Sequence, residues 1–236
     1  MASTRTHPRP PSTAPARLLI PFTPYAIITV VHVTALAVGA TAIAAPTKLL
    51  LMPLLAVGVV WALRGEIART PVILLLVALG LSWLGDGAGT FFPFAPTVVM
   101  MLLCFGLAHA AYIVLFWRVL ARRPVPPWTI VYALWWGALL AVLWPHLGTL
   151  LIPVAIYGLV LGGTAVASSR AGAMIAVGGA FFLTSDSILA FELFWPEAPV
   201  AVTGPLVMLT YTLGQGLIAL GVVRAMSSLG TRGGRR

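Results

Sequence analysis

Two aspartates are the residues in this chain best able to do chemistry. Asp86 sits in Gly85-Asp86-Gly87 and Asp186 in Ser185-Asp186-Ser187, at the end of one long apolar run and inside another. A carboxyl group at the centre of a lipid-embedded helix costs roughly 2.5–3.5 kcal/mol, so it persists where it faces a packed interior and has a task. A pair of carboxyls can divide general-acid and general-base work, one protonated and the other charged. The remaining polar candidates are Lys48, the only lysine, with His109, Tyr112, Tyr211 and Gln215. His109 and Tyr112 share a helical face by spacing, as do Tyr211 and Gln215. Each candidate also has an ordinary reading. Gly85-Asp86-Gly87 can be a C-terminal turn, Lys48 a snorkelling anchor after Pro46, and His109 a packed histidine. Asp186 is harder to explain away, because its apolar run continues well beyond it towards Trp195. Glu192 and Glu197 fall close to the end of that run, where water reaches. No two histidines stand four apart, and there is no nucleophile elbow, P-loop or dinucleotide fingerprint. No metal and no cofactor are therefore expected.

The elements that must position these residues follow from composition. Of 236 residues, 60% are hydrophobic and 8% charged, more apolar surface than a soluble domain of this length can bury. Lipid is the solvent that suits it. The expected fold is all-α, a polytopic membrane bundle of about eight transmembrane helices. Apolar runs fall at about 25–45, 48–63, 72–88, 97–119, 128–144, 147–166, 171–194 and 203–226. Residues 1–24, rich in proline and arginine, read as a disordered basic tail, and 227–236 as a second basic tail. Ala42-Ile43-Ala44 resembles a leader cleavage site, but the run before it is long enough to span, which favours a retained helix. Gly158 and Gly162 form a small-xxx-small helix-packing pair. The single cysteine, Cys104, permits no internal disulfide.

The arginines test the count. With eight spans all 13 of them fall on one side, and the positive-inside rule makes that side the cytoplasm, with both termini there. The net charge of +9 is then a topology signal and implies no nucleic-acid partner.

Counting from these arginines also gives depth. Asp86 lies 17 positions beyond Arg69, Asp186 16 beyond Arg170, Lys48 16 before Arg64 and Tyr211 13 before Arg224. At 1.5 Å per residue these four share a layer about 20–26 Å from the arginines. His109 and Gln215 share a second layer about 14 Å in. Five helices can thus bring two carboxylates, a lysine, a phenol, an amide and an imidazole into one chamber opening towards the outer half of the membrane. Asp86 and Asp186 stand 100 residues apart on spans that run the same way, which suggests two parallel four-helix halves.

The pattern resembles the YhhN family of lysoplasmalogenase-like membrane proteins. The matching pieces come in order: Thr47-Lys48-Leu49-Leu50-Leu51-Met52-Pro53; Ser82-x-x-Gly85-Asp86; Phe105-Gly106-Leu107-Ala108-His109-Ala110-Ala111-Tyr112; Phe181-Phe182-Leu183-Thr184-Ser185-Asp186-Ser187; and Tyr211-x-x-x-Gln215. Each is weak by itself, whereas five in order, over roughly residues 25–226, are fairly specific. Leu49 departs from the family pattern, where proline commonly follows the lysine. The resemblance implies hydrolysis of the vinyl ether bond of a lysoplasmalogen, to a fatty aldehyde and a glycerophospho-choline or -ethanolamine. It implies Asp86 and Asp186 as catalytic groups, with Lys48, Ser82, His109, Tyr112, Ser185, Tyr211 and Gln215 around the substrate. A lysolipid and the bilayer are the partners it implies, in a bacterial plasma membrane; the oligomeric state stays open. Vinyl ethers hydrolyse by protonation at carbon, capture of the oxocarbenium ion by water and collapse of the hemiacetal, which needs an acid, an anion and a base.

Two other classes fit the same residues. A small-molecule or lipid transporter can use intramembrane aspartates for proton coupling, and parallel repeats are common in transporters. A non-catalytic scaffold would tolerate loss of both aspartates. The family resemblance favours the enzyme.

Overall fold

The computed structural model describes residues 18–233, with side chains described through Ser227. Most of the expected basic tail at 1–24, and residues 234–236, lie outside the described residues. Within them there is no strand, and eight long helices carry the chain. They are α1 (Thr23–Ala37), α2 (Thr41–Ala62), α3 (Thr70–Asp86), α4 (Thr97–Val114), α5 (Ile130–Leu147), α6 (Leu151–Ala171), α7 (Ala173–Phe194) and α8 (Val200–Gly233).

By length and composition six segments among the described residues can cross a membrane. One of them, Pro127–Ala171, is 45 residues long and contains both α5 and α6. Gly148, at φ +48, breaks it, and Trp136 Nε1 of α5 reaches back to the Ala155 carbonyl of α6 at 3.1 Å, so the two helices form a hairpin. α3 is apolar but has only 17 residues.

Several boundaries differ from the sequence expectation, each for a local reason. The tail gives way to structure earlier than residue 25. Ile20–Phe22 form a 3-10 turn whose Pro21 and Phe22 are buried, and Thr23-Pro24 starts α1 with proline in its first turn, where no N–H is needed. α1 stops at Ala37, because Gly39 turns the chain at φ +71. α2 therefore begins at Thr41, and Lys48 lies in its third turn instead of at a span's start. α8 runs on past Met226 into the expected C-terminal tail.

Proline inside α2 has a visible consequence. Pro53 cannot donate to the Leu49 carbonyl one turn earlier, and Trp83 of α3 fills the vacancy, its Nε1 3.0 Å from that oxygen. The bond ties α2 to α3 beside Lys48 and three residues before Asp86.

The most extensive packing joins α7 to α8, and the next joins α3 to α4. A Cβ at Gly178 would stand 2.9 Å from the Gly214 carbonyl oxygen, so these two glycines let the backbones of α7 and α8 touch. The two tight pairs are the corresponding ones of the two expected halves. Beyond them the halves diverge, since α8 also packs on α1 whereas α4 packs on α6. At the arginine-bearing end, Arg123 Nε donates to the Ser169 carbonyl at 2.7 Å and the Arg122 N–H to that of Arg170 at 2.9 Å, closing the last turn of α6.

Candidate active site in the bundle

Phe182 of α7 is fully buried at the centre of the polar residues. Its ring centroid lies 4.6 Å from His109, 5.4 Å from Tyr211 and 6.3 Å from Tyr112. Phe105 of α4 stands edge-on to both Phe182 and Tyr211, and Gly85 gives it room, because a Cβ there would be 2.7 Å from the ring. The single chamber expected from depth is divided by these two aromatic rings into two arms.

The first arm is a ladder between α3 and α8. Tyr211 Oη donates to Asp86 Oδ2 at 2.8 Å, and one turn away Gln215 Nε2 donates to Ser82 Oγ at 3.1 Å. The rungs step in opposite senses along the two helices, as antiparallel neighbours require. Gln215 Oε1 in turn accepts from Tyr112 of α4 at 2.5 Å, so the amide is used at both ends. Asp86 is the last residue of α3 and is half-buried. Lys48 lies within Coulombic reach of it, though neither ion pair among the described residues includes Lys48.

The second arm lies between α4, α6 and α7. Asp186 is buried at 8% exposure, and the Tyr157 hydroxyl donates to its Oδ2. His109 Nε2 approaches the same oxygen at 3.4 Å and the Tyr157 oxygen at 3.4 Å. Both contacts converge on Oδ2 and leave Oδ1 without a protein partner among the described residues. His109 is fully buried, and its Nδ1 has no partner there either. Ser185, next in the chain, turns away and donates to the Val207 carbonyl of α8 at 3.0 Å, while Ser187 accepts from Trp135 at 2.9 Å.

An apolar groove of about 640 Å³, including its open side, ends at the second arm. It lies between α4, α5, α6 and α7, and Asp186 and Tyr157 are its only polar lining groups apart from the Trp136 indole. Asp86, Lys48, Tyr211 and Gln215 do not line it. The two aspartates are nonetheless close enough to interact electrostatically.

Tyr157 was not among the residues expected from the sequence. The signal was available: it lies 13 positions before Arg170, the same offset that places Tyr211 before Arg224. Phe105 and Phe182 are conspicuous in the sequence only as parts of motifs. His32, which looks isolated in the sequence, pairs its Nδ1 with Thr47 Oγ1 at 2.9 Å, next to Lys48.

The YhhN family model matches residues 43–222. The chain belongs to the YhhN family. The matched span runs from α2 into α8 and includes every member of both arms. No curated protein and no solved structure matches the chain. Within the matched span, polar side chains of α3, α4, α6, α7 and α8 meet around Phe105 and Phe182.

Proposed function

We propose that this YhhN family protein is a membrane-embedded lysoplasmalogenase that hydrolyses the vinyl ether bond of a single-chain alkenyl glycerophospholipid. The observation that carries the reading is the placement of Asp186, a buried carboxyl held by Tyr157 and His109 at the end of an apolar groove. A lipid with one chain and one polar head suits a site with an apolar groove on one side and a polar arm on the other. All eight long helices cross the bilayer in this reading, with both termini cytoplasmic, and the chain sits in a bacterial plasma membrane.

The chemistry divides between the arms. Asp186 delivers a proton from Oδ1 to the alkenyl carbon remote from the ether oxygen, while Tyr157 and His109 hold Oδ2 in place. The carbon bonded to oxygen becomes an oxocarbenium centre. Asp86 stays anionic, with Lys48 and the Tyr211 hydroxyl nearby, and stabilises that cation across the aromatic divide. Water adds to the cationic carbon and gives up a proton to the Asp186 carboxylate, which restores the acid. The hemiacetal then collapses, its hydroxyl proton passing to the departing glycerol oxygen, to leave a fatty aldehyde and a glycerophospho-alcohol.

The test is aldehyde release from a lysoplasmalogen by purified protein in mild detergent, for wild type and for Asp186→Asn. Release by the wild type, lost in a folded Asp186→Asn variant, supports the reading. A folded wild type that releases no aldehyde from any alkenyl lysolipid refutes it, and substrate flux in proteoliposomes would then argue for a carrier.

A further inference from the structure

Two cavities meet at one tryptophan. The groove that holds Asp186 ends at Trp136, Gly158 and Leu161. A second cavity of about 1010 Å³, including its open mouth, lies between α5 and α6 nearer the arginine-bearing end, lined by Thr129, Tyr132, Gly162 and Val166 among others. Trp136 and Gly158 are the two lining residues the cavities share.

The indole is held in the partition by its neighbours. Nε1 donates to the Ala155 carbonyl at 3.1 Å, and the ring lies so close to Gly158 that a Cβ there would be 2.6 Å from Cδ1. Gly162, one turn further along α6, has only open space where a Cβ would go. The small-xxx-small pair of α6 therefore does two things: Gly158 admits the indole, and Gly162 leaves the second cavity empty. A single alkyl chain is the occupant this shape takes. The first groove follows α7 from Asp186 to Phe194, about 12 Å, between apolar side chains of four helices. Its polar groups stand near one end, so a chain starting at Asp186 can run outward along α7 but is stopped by Trp136 in the other direction.

The geometry points to Trp136 as the residue that sets the alkyl-chain capacity of the site, by closing the groove at Asp186 off from the second cavity. This rests on the reading of the groove as the chain site of a lysolipid hydrolase. Removing the indole joins the cavities and adds about 12 Å along α6, from Gly158 to Val166, which roughly doubles the apolar length. Chains too long for the outer groove should then be accepted through the second cavity.

The experiment uses saturated ether lysophospholipids of increasing chain length, each with a photoreactive diazirine at the chain end, on the full-length protein in lipid nanodiscs. Crosslinks are mapped by mass spectrometry. In parallel, aldehyde release is measured on alkenyl substrates of the same lengths. Wild type should be labelled only along the outer groove, between Leu139 and Leu147 or Leu189 and Phe194. Trp136→Ala should add labels at Tyr132, Ala133 or Val166 with the longest chains. It should also raise their turnover, relative to the wild type's best chain, by tenfold or more. Trp136→Leu serves if the alanine variant does not fold. Identical labelling in variant and wild type overturns the inference, as does labelling of the second cavity in wild type or aldehyde release with neither cavity labelled. Labelling that shifts as expected, without aldehyde release from any chain, leaves the inference standing and sinks the hydrolase reading instead.

Discussion

Replacing Tyr157 by phenylalanine removes one oxygen from the site and keeps the ring. The ring matters for packing, since it stands edge-on to His109 with centroids 5.7 Å apart and lines the groove. The oxygen matters for Asp186, whose Oδ2 accepts from it and otherwise has only the 3.4 Å approach of His109. A hydrogen bond to an ionisable partner is worth about 1.5–3 kcal/mol. If the bond holds the carboxyl in its reacting position, its loss appears in the transition state as about a tenfold to 150-fold fall in kcat. KM should change little, because the apolar contacts with the chain survive. The assay is aldehyde release against substrate concentration, with thermal unfolding in the same detergent to show that the fold is intact. Adding His109→Phe should cost less than the product of the two single losses, since both groups act on the same oxygen. A Tyr157→Phe kcat within twofold of wild type would refute the positioning of Asp186 by this phenol. A loss confined to KM would move Tyr157 to substrate binding alone.

Other predictions follow from the same geometry. Asp86→Asn should lower turnover by orders of magnitude in a folded protein, whereas Glu197→Gln, in the turn between α7 and α8 and exposed, should change it by less than a factor of about two; a wild-type rate for Asp86→Asn would refute the two-carboxyl scheme. Gly178→Val puts a side chain where Cβ already meets the Gly214 carbonyl at 2.9 Å and the Ile218 nitrogen at 3.0 Å, backbone atoms that cannot swing aside. It should destabilise the protein by about 1–3 kcal/mol or more, read as a lowered Tm, and an unchanged Tm would mean that α7 and α8 pack less closely. Fluorescent reporters fused to either terminus should both fluoresce in the cytoplasm, while alkaline phosphatase inserted at Phe92–Ala95 should be active outside; termini on opposite sides would require an odd number of crossings.

What could be read from the sequence was depth along some helices; His109, counted into a layer with Gln215 about 14 Å in, instead approaches Asp186 of the other layer at 3.4 Å. Arginines mark one membrane face, the rise per residue is constant, and together they place Asp86, Asp186, Lys48 and Tyr211 at a similar level. The pairing of Asp86 with Tyr211, and of Gln215 with Ser82 one turn away, has the register that such counting anticipates. What could not be read was direction around each helix. In water an amphipathic stripe tells the inward face from the outward one, but in lipid both faces are apolar. Leu134 is 67% exposed and Leu143 only 1%, yet the two are the same residue on the same helix. Rotation was therefore unknown for most of the chain, and with it which polar groups of a layer touch and which are kept apart. Phe105 and Phe182 supply that missing angle, as bulky rings that fill the centre of the layer and force the carboxyls to opposite sides. The same ambiguity hides Trp136. In sequence it is one of eight tryptophans, and only the glycine across from it on α6 shows it to be a wall. Function in such a bundle depends on which apolar side chains face inward, so it can be written in phenylalanine, tryptophan and glycine as much as in the few charges that draw attention first.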